Sequence, residues 1–156
     1  MKKITGTIIT LNNEAVIEDC IISLKKICNE IIVLDSLSSD NTISIAKNLG
    51  AKIYEQEFLG DGPQKKLAAS YASNDWVFSL DSDERLEDDL IDFVQSLDLD
   101  ASSFKAYSFK RRNFCGSKWI KAASFYPDRV TRLFNKNYVN YNSSTSHAFI
   151  DAKSRK

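Results

Sequence analysis

The chain lacks paired cysteines, long apolar runs, a net charge and all but one histidine. Cys20, Cys28 and Cys115 are odd in number and fall at none of the paired spacings of a zinc site or a disulfide framework, so they read as reduced, packed thiols of a cytoplasmic protein. The longest apolar stretches are only a few residues, too short to span a membrane, and "MKKITGTIITLNN" turns polar too soon for a signal peptide. Lys plus Arg and Asp plus Glu both number 21, and the resulting zero net charge offers no whole-protein field to draw in nucleic acid. Repeats, low-complexity tracts and internal linkers are absent; only "SSTSHAFIDAKSRK" turns polar and basic, and residues 146–156 read as a frayed or truncated tail. His147, in that tail, reads first as a solvated side chain. With 156 residues, 43% of them hydrophobic, there is room for one ordinary core and a single domain over 1–156.

What the chain does have is a regular alternation. "ITGTIITL" (4–11) is β-branched and short enough for a buried strand, and Asn12 or Asn13 can cap the helix after it. In that helix Ile17, Cys20, Ile21, Leu24, Ile27 and Cys28 recur at helical spacing and form one apolar stripe. "EIIVLDS" is a second strand, Asp40 caps a second helix that Gly50 ends, and "AKIYEQ" is a third strand. "FLGDGPQ" reads as a loop before a short helix, "DWVFSLD" as a fourth strand and "LEDDLIDFVQSL" as an amphipathic helix. This β-α-β-α-β-α-β-α order predicts an α/β fold with a mostly parallel sheet, helices on both faces and ligands outside the carboxyl ends of the strands. Past residue 100 the period changes to two in "SFKAYSFKRR" and "RVTRLFN", which predicts added antiparallel strands.

Polar residues gather at the predicted strand ends. Asp81, Ser82, Asp83 and Glu84 follow the apolar run Trp76, Val77, Phe78, Leu80; like charges this close repel, so something cationic is expected among them. Asp81 and Asp83 can face one hard cation, and Mg²⁺ or Mn²⁺ suits a pair of carboxylates completed by water and substrate phosphates. An acid-x-acid turn is also common as a solvated helix cap. Asp35 ends its strand with no capping duty, where a ribose or base could be hydrogen-bonded, whereas Asp40 reads as a helix cap. Lys65 and Lys66 open a helix, against its dipole, which makes an anionic partner attractive; two solvated lysines are the plainer reading, and the GxxxxGK[ST] spacing of a Walker loop is absent.

Taken in order, "TIITLNNE" (7–14), "EIIVLDSLSSDNT" (30–42), "FLGDGPQKKLA" (58–68), "DWVFSLDSDE" (75–84) and "FYPDRVTRLFNK" (125–136) resemble the family 2 glycosyltransferases of the GT-A fold, within them the bacterial lipopolysaccharide-core glucosyltransferases. The resemblance implies a Rossmann-like GT-A domain using a nucleotide-sugar donor, UDP-glucose or a similar UDP-hexose. It implies Mg²⁺ or Mn²⁺ on Asp83 and Asp81, with His147 a third candidate ligand. It assigns Thr10, Asn12 and Glu14 to the first nucleotide-binding loop, Asp35 to the nucleoside, Lys65 to the phosphates, and the Asp81, Ser82, Asp83 turn to the donor. The acceptor it implies is a glycan or lipid-linked sugar, reached by a cytoplasmic domain associated peripherally with the inner face of the membrane. Ser36 departs from the second acid that many members carry.

The implied transfer is inverting and needs a carboxylate base for the acceptor hydroxyl. Relatives carry a His-Glu pair after the "LFN" strand; here His147 is followed by Ala148, which leaves Asp128 as the nearest substitute base or acceptor-orienting group. A member that holds donor without efficient turnover is the alternative. A haloacid-dehalogenase-like phosphatase with Asp81 as nucleophile is a remote alternative, although it would want its acid-x-acid motif after the first strand; a nucleotidyltransferase, which shares the sheet and the metal, is a further one, although its glycine-rich basic first loop is missing.

Overall fold

In the computed structural model, residues 3–116, 118–120, 128–146 and 148–151 are described. Four strand-helix units come first: β1 (Ile4–Thr10), α1 (Ile17–Lys25), β2 (Glu30–Asp35), α2 (Thr42–Asn48), β3 (Lys52–Glu55), α3 (Asp61–Ser70), β4 (Trp76–Asp81) and α4 (Asp88–Ser96). β5 (Ala106–Arg111), the short pair β6 (Phe114–Cys115) and β7 (Lys118–Trp119), the long β8 (Asp128–Asn135), β9 (Asn140–Tyr141) and β10 (Ile150–Asp151) follow. One six-stranded sheet runs β3-β2-β1-β4-β8-β5. β1 to β4 are parallel, and β8 lies antiparallel between β4 and β5.

Side chains alternate across this sheet with period two. Ile4 and Ile8 of β1, Ile31 and Val33 of β2, and Trp76, Phe78 and Leu80 of β4 meet α1, α2 and α4 in the larger core. Ile32, Val77 and Phe134 point the other way, onto Ala69 and Ala72 at the end of α3 and onto Val139 and Tyr141. The predicted stripe of α1 is wholly inside: Ile17, Cys20, Ile21, Leu24, Ile27 and Cys28 are all buried.

Some expectations shift. The cap of α1 is Val16, with no side-chain cap bond, because the Asn12 and Asn13 amides are engaged elsewhere. α3 begins at Asp61, inside the segment read as a loop; Pro63 falls in its first turn, where a missing N–H costs nothing. Cys115 is exposed, unlike the packed Cys20 and Cys28, because the two-stranded β6–β7 ribbon stands off the core. Gly50 ends α2 as expected, at φ 80. Of the predicted tail, Ile150 and Asp151 pair with Tyr141 and Asn140, while His147 and residues 152–156 lie outside the described residues. Among the described residues no helix is long and apolar enough to cross a membrane.

Candidate functional site

Parallel pairing brings the ends of β1, β2 and β4 side by side, with Thr10 opposite Asp35 and Ile9 opposite Asp81. The loops after β1 and β2 are bolted to each other. The Asn12 N–H donates to Ser38 Oγ at 2.8 Å and Asn12 Oδ1 accepts from the Ser39 N–H at 2.8 Å. Glu14 Oε2 accepts from the Asn41 backbone and side-chain N–H groups, at 3.0 and 2.9 Å. The N-cap of α2 is Asn41 rather than the expected Asp40, which lies one residue earlier and accepts from the Thr42 N–H at 3.0 Å. Asp35 is fully buried, and its two oxygens accept from the Ser38 N–H and hydroxyl, each at 2.6 Å. Asp35 thus shapes the loop after β2.

A second knot joins β1 to the acid turn. Asn13 Oδ1 accepts from Thr10 Oγ1 at 3.0 Å and from the buried Ser82 hydroxyl at 2.7 Å. Ser36, the position that departs from the acidic pattern, instead has a hydroxyl that accepts from the fully buried Gln64 side chain at 3.2 Å.

Two protein cations lie at the acid turn. Lys65 Nζ sits 2.8 Å from Asp81 Oδ1 and 2.8 Å from Asp61 Oδ1. Arg132 Nη2, from β8, sits 3.0 Å from Asp81 Oδ2 and 2.5 Å from Glu84 Oε1. Arg111 continues the chain, 3.3 Å from Glu84 Oε1 and 2.8 Å from Asp128 Oδ2. Asp61, Lys65, Asp81, Arg132, Glu84, Arg111 and Asp128 therefore alternate in sign along one connected line. Burial alone would raise the Asp81 carboxyl, but the Arg132 and Lys65 charges outweigh it and hold its pKa below the usual carboxylate value. Burial would likewise lower Arg132 and Lys65, and their acidic neighbours hold both above their ordinary values.

Asp83 stands apart. It is exposed, and no ion pair or side-chain hydrogen bond engages it among the described residues. Asp128 also carries a lowered pKa: burial would raise it, while Arg111 and Asn113, donating to Oδ2 at 2.9 and 3.3 Å, lower it. That makes it a weak proton acceptor. The turn opens on a cleft of about 1350 Å³ that Asp81, Asp83, Glu84 and Arg132 line together with Phe93 and Phe109.

On the other side, residues 142–146 and Ala148 dock on the start of α3. The Asp61 and Gly62 N–H groups donate to the Thr145 and Ser144 carbonyls at 3.0 and 2.8 Å, so this helix N-terminus is already capped within the chain. Lys65 lies in the second turn, turned inward, so the anionic partners expected of it are Asp81 and Asp61.

The structure gathers Lys65, Asp81, Ser82 and Asp83 at the end of β4, and places Thr10 beside them through Asn13. Asn12, Glu14 and Asp35 belong to the adjoining latch. Sequence reasoning placed Glu84 in the acid turn without giving it a role, and passed over Arg132, Arg111 and Asp61 as site residues. Arg132 carried a signal, since a cation interrupts the apolar stretch that ends in Leu133 and Phe134, and the acid turn called for a cation.

A parallel sheet whose strand ends carry a locked pair of loops and an acid turn is the layout of a GT-A domain. The chain belongs to glycosyl transferase family 2, whose profile it matches over residues 7–154. It is 38% identical over 154 residues to an uncharacterized glycosyltransferase of Rickettsia typhi, covering 94% of this chain and 52% of the relative. It is 29% identical over 146 residues to the lipopolysaccharide core biosynthesis glycosyltransferase LpsC of Rhizobium meliloti, covering 90% of this chain and 54% of that one. The chain thus spans about half the length of these relatives. Among solved structures, S. aureus TarS 1–349 superposes with a TM-score of 0.60 at 15% identity, over 94% of this chain and 52% of TarS, a likeness of fold.

Proposed function

We propose that this domain binds a nucleotide-sugar donor, UDP-glucose or a similar UDP-hexose, and serves an inverting hexosyl transfer to a glycan acceptor such as a lipopolysaccharide core. The observation that carries the reading is the acid turn ending β4, where two cations that the chain itself supplies hold Asp81 and the next acid, Asp83, is exposed. Thr10, Asn12, Glu14 and Asp35 form the nucleoside side, Asp35 and Glu14 by fixing the loop and Thr10 through Asn13. Lys65 and Arg132 offer positive charge to the diphosphate. The name of LpsC supports the acceptor class. A cytoplasmic domain working at the inner membrane face is the matching location.

A divalent ion fits these residues in one form only. Among the described residues no group of three or more His, Cys, Asp or Glu could enclose a metal ion, so an all-protein cage is not offered. One exposed carboxylate, Asp83, suits Mg²⁺ or Mn²⁺ that keeps water and takes substrate phosphate oxygens. Such an ion, when bound, neutralises charge that develops on the leaving diphosphate. The test is thermal unfolding against a panel of nucleotides and nucleotide-sugars in Mn²⁺ and in EDTA. UDP and UDP-hexoses should raise the midpoint most, by the stabilisation of ~2.7 kcal/mol expected at a hundred times Kd. A panel in which no nucleotide moves the midpoint would sink the reading.

Ala148 favours a second reading, in which the domain holds donor without efficient transfer. Its backbone N–H is tied to Asp61 Oδ2 at 2.9 Å and its side chain carries no base. Asp128 is bound to Arg111 and suits orientation of an acceptor better than proton removal. Transfer ~10² to 10⁴-fold below that of a related enzyme with the glutamate, alongside intact donor binding, would select this reading.

A further inference from the structure

The loop after β2 carries a hydroxyl that the latch between the loops leaves half used. Both oxygens of Asp35 accept from Ser38, whose hydroxyl oxygen in turn accepts from the Asn12 N–H, and Glu14 is engaged by Asn41. Ser36 is different. It is half-buried at the carboxyl end of β2, its N–H donates to the Thr10 carbonyl at 2.8 Å, and its side chain meets Gln64. Gln64 is fully buried, and its neighbours fix its amide one way round: the Leu59 N–H, at 3.2 Å, needs the amide oxygen, and the Gln56 carbonyl, at 3.3 Å, needs the amide N–H. The same amide nitrogen faces Ser36 Oγ at 3.2 Å, so the hydroxyl accepts there. That occupies one lone pair. The second lone pair and the hydroxyl proton have no partner among the described residues.

On the donor-binding reading above, we propose that Ser36, aimed by Gln64, is a specificity-determining residue that meets the edge of the donor's base and admits uracil and cytosine alike. Uracil presents a ring N–H, to which Ser36 offers its remaining lone pair. Cytosine presents a bare ring nitrogen, to which it offers its proton. A carboxylate at this place could only accept, and would leave the cytosine nitrogen facing an oxygen; unpaired polar groups of that kind are what make polar recognition selective. A hydroxyl turns about its own C–O bond and serves either base. The donor class so defined is a sugar linked to a pyrimidine nucleoside diphosphate, uridine or cytidine.

The test is calorimetric binding of UDP and of CDP to the unaltered chain, to Ser36→Asp and to Ser36→Ala, all in one Mn²⁺ buffer. Diphosphate and metal are common to both ligands, so the ratio of the two dissociation constants reports the base. The unaltered chain should bind the two within about threefold, less than the tenfold that ~1.4 kcal/mol represents. Ser36→Asp should open a preference for UDP of about tenfold or more, through weaker CDP binding. Ser36→Ala removes both functions of the hydroxyl and should weaken UDP and CDP together, by about threefold to tenfold, with their ratio kept. If Ser36→Asp does not fold, Ser36→Ala decides by itself. A larger preference in the unaltered chain, an unmoved ratio in Ser36→Asp, or a Ser36→Ala chain that loses neither ligand or only one would overturn the proposal and leave the donor reading standing. If the unaltered chain binds neither nucleotide, the donor reading fails and the role of Ser36 falls with it.

Discussion

The backbone N–H of Ala148 donates to Asp61 Oδ2 at 2.9 Å, and the other oxygen of Asp61 holds Lys65 at 2.8 Å. One carboxylate thus ties the segment after β9 to the cation that faces Asp81. The neighbouring residue is glycine because the segment lies too close for anything else: a Cβ on Gly62 would collide with the Asn142 carbonyl oxygen and come 2.7 Å from that of Ser144. Backbone atoms cannot swing aside as a side-chain tip can. Gly62→Ala should therefore lift residues 142–145 from α3 and cost about 1–3 kcal/mol. Hydrogen exchange reads the first effect, through faster exchange of the Asp61 and Gly62 amides that now donate to Thr145 and Ser144. Denaturant unfolding reads the second. Unchanged exchange at both amides would mean that the contact yields without cost.

Glu30, at the opposite end of the sheet, sets an acid limit on stability. Its carboxylate accepts from Thr5 Oγ1 at 2.6 Å and the Ser73 N–H at 2.9 Å, and pairs with Lys52 Nζ at 2.7 Å. Burial would raise its pKa, yet the bonds from Lys52, Thr5 and Ser73 lower it from 4.5 to about 2. A depressed carboxylate contributes stability that is present above the unfolded value and lost as pH falls toward the folded one. The contribution should fade between pH 4.5 and about 2, and Glu30→Gln should flatten that part of the stability curve. A Glu30→Gln chain whose acid limb keeps its original slope would contradict this.

The amino-acid pattern makes some of this architecture legible and hides the rest. The period of the α1 stripe and the apolar β4 run are local, so the parallel half and the acid turn at its end can be read directly. Alternation in residues 103–112 and 129–135 tells of antiparallel strands, but not that β8 inserts between β4 and β5; that order depends on burial of Leu133 and Phe134 against Val77 and Phe78. Arg132 is hidden for the same reason, since it reaches Asp81 from 51 residues away. Asp61 is masked by glycine and proline neighbours that read as a loop, although Pro63 is at home in a first helical turn. Asn13 looks like a cap because caps are its commonest use. Here its side-chain oxygen joins Thr10 to Ser82 instead.

Leu37 holds a backbone conformation that suits glycine, with φ 68, and its side chain is 57% exposed. Ser36 on one side donates its N–H to the Thr10 carbonyl at 2.8 Å, and Ser38 on the other donates to Asp35, so the loop has no freedom to relax. Left-handed backbone costs a residue with a Cβ roughly 1–2 kcal/mol. Leu37→Gly should accordingly raise stability by about 0.5–1 kcal/mol, the glycine's own entropy cost being somewhat smaller than the strain relieved. A fall in the denaturant midpoint would show that the leucine side chain makes a contribution larger than its exposure suggests.

The central claim is the position of the donor, and a crystal structure of the chain with UDP and Mn²⁺ tests it most directly. The account predicts uridine over the loops after β1 and β2, the diphosphate within hydrogen-bond reach of Lys65 or Arg132, and the metal on Asp83. UDP bound away from these strand ends, for instance between α4 and β5 with Lys65 and Asp83 untouched, would contradict it.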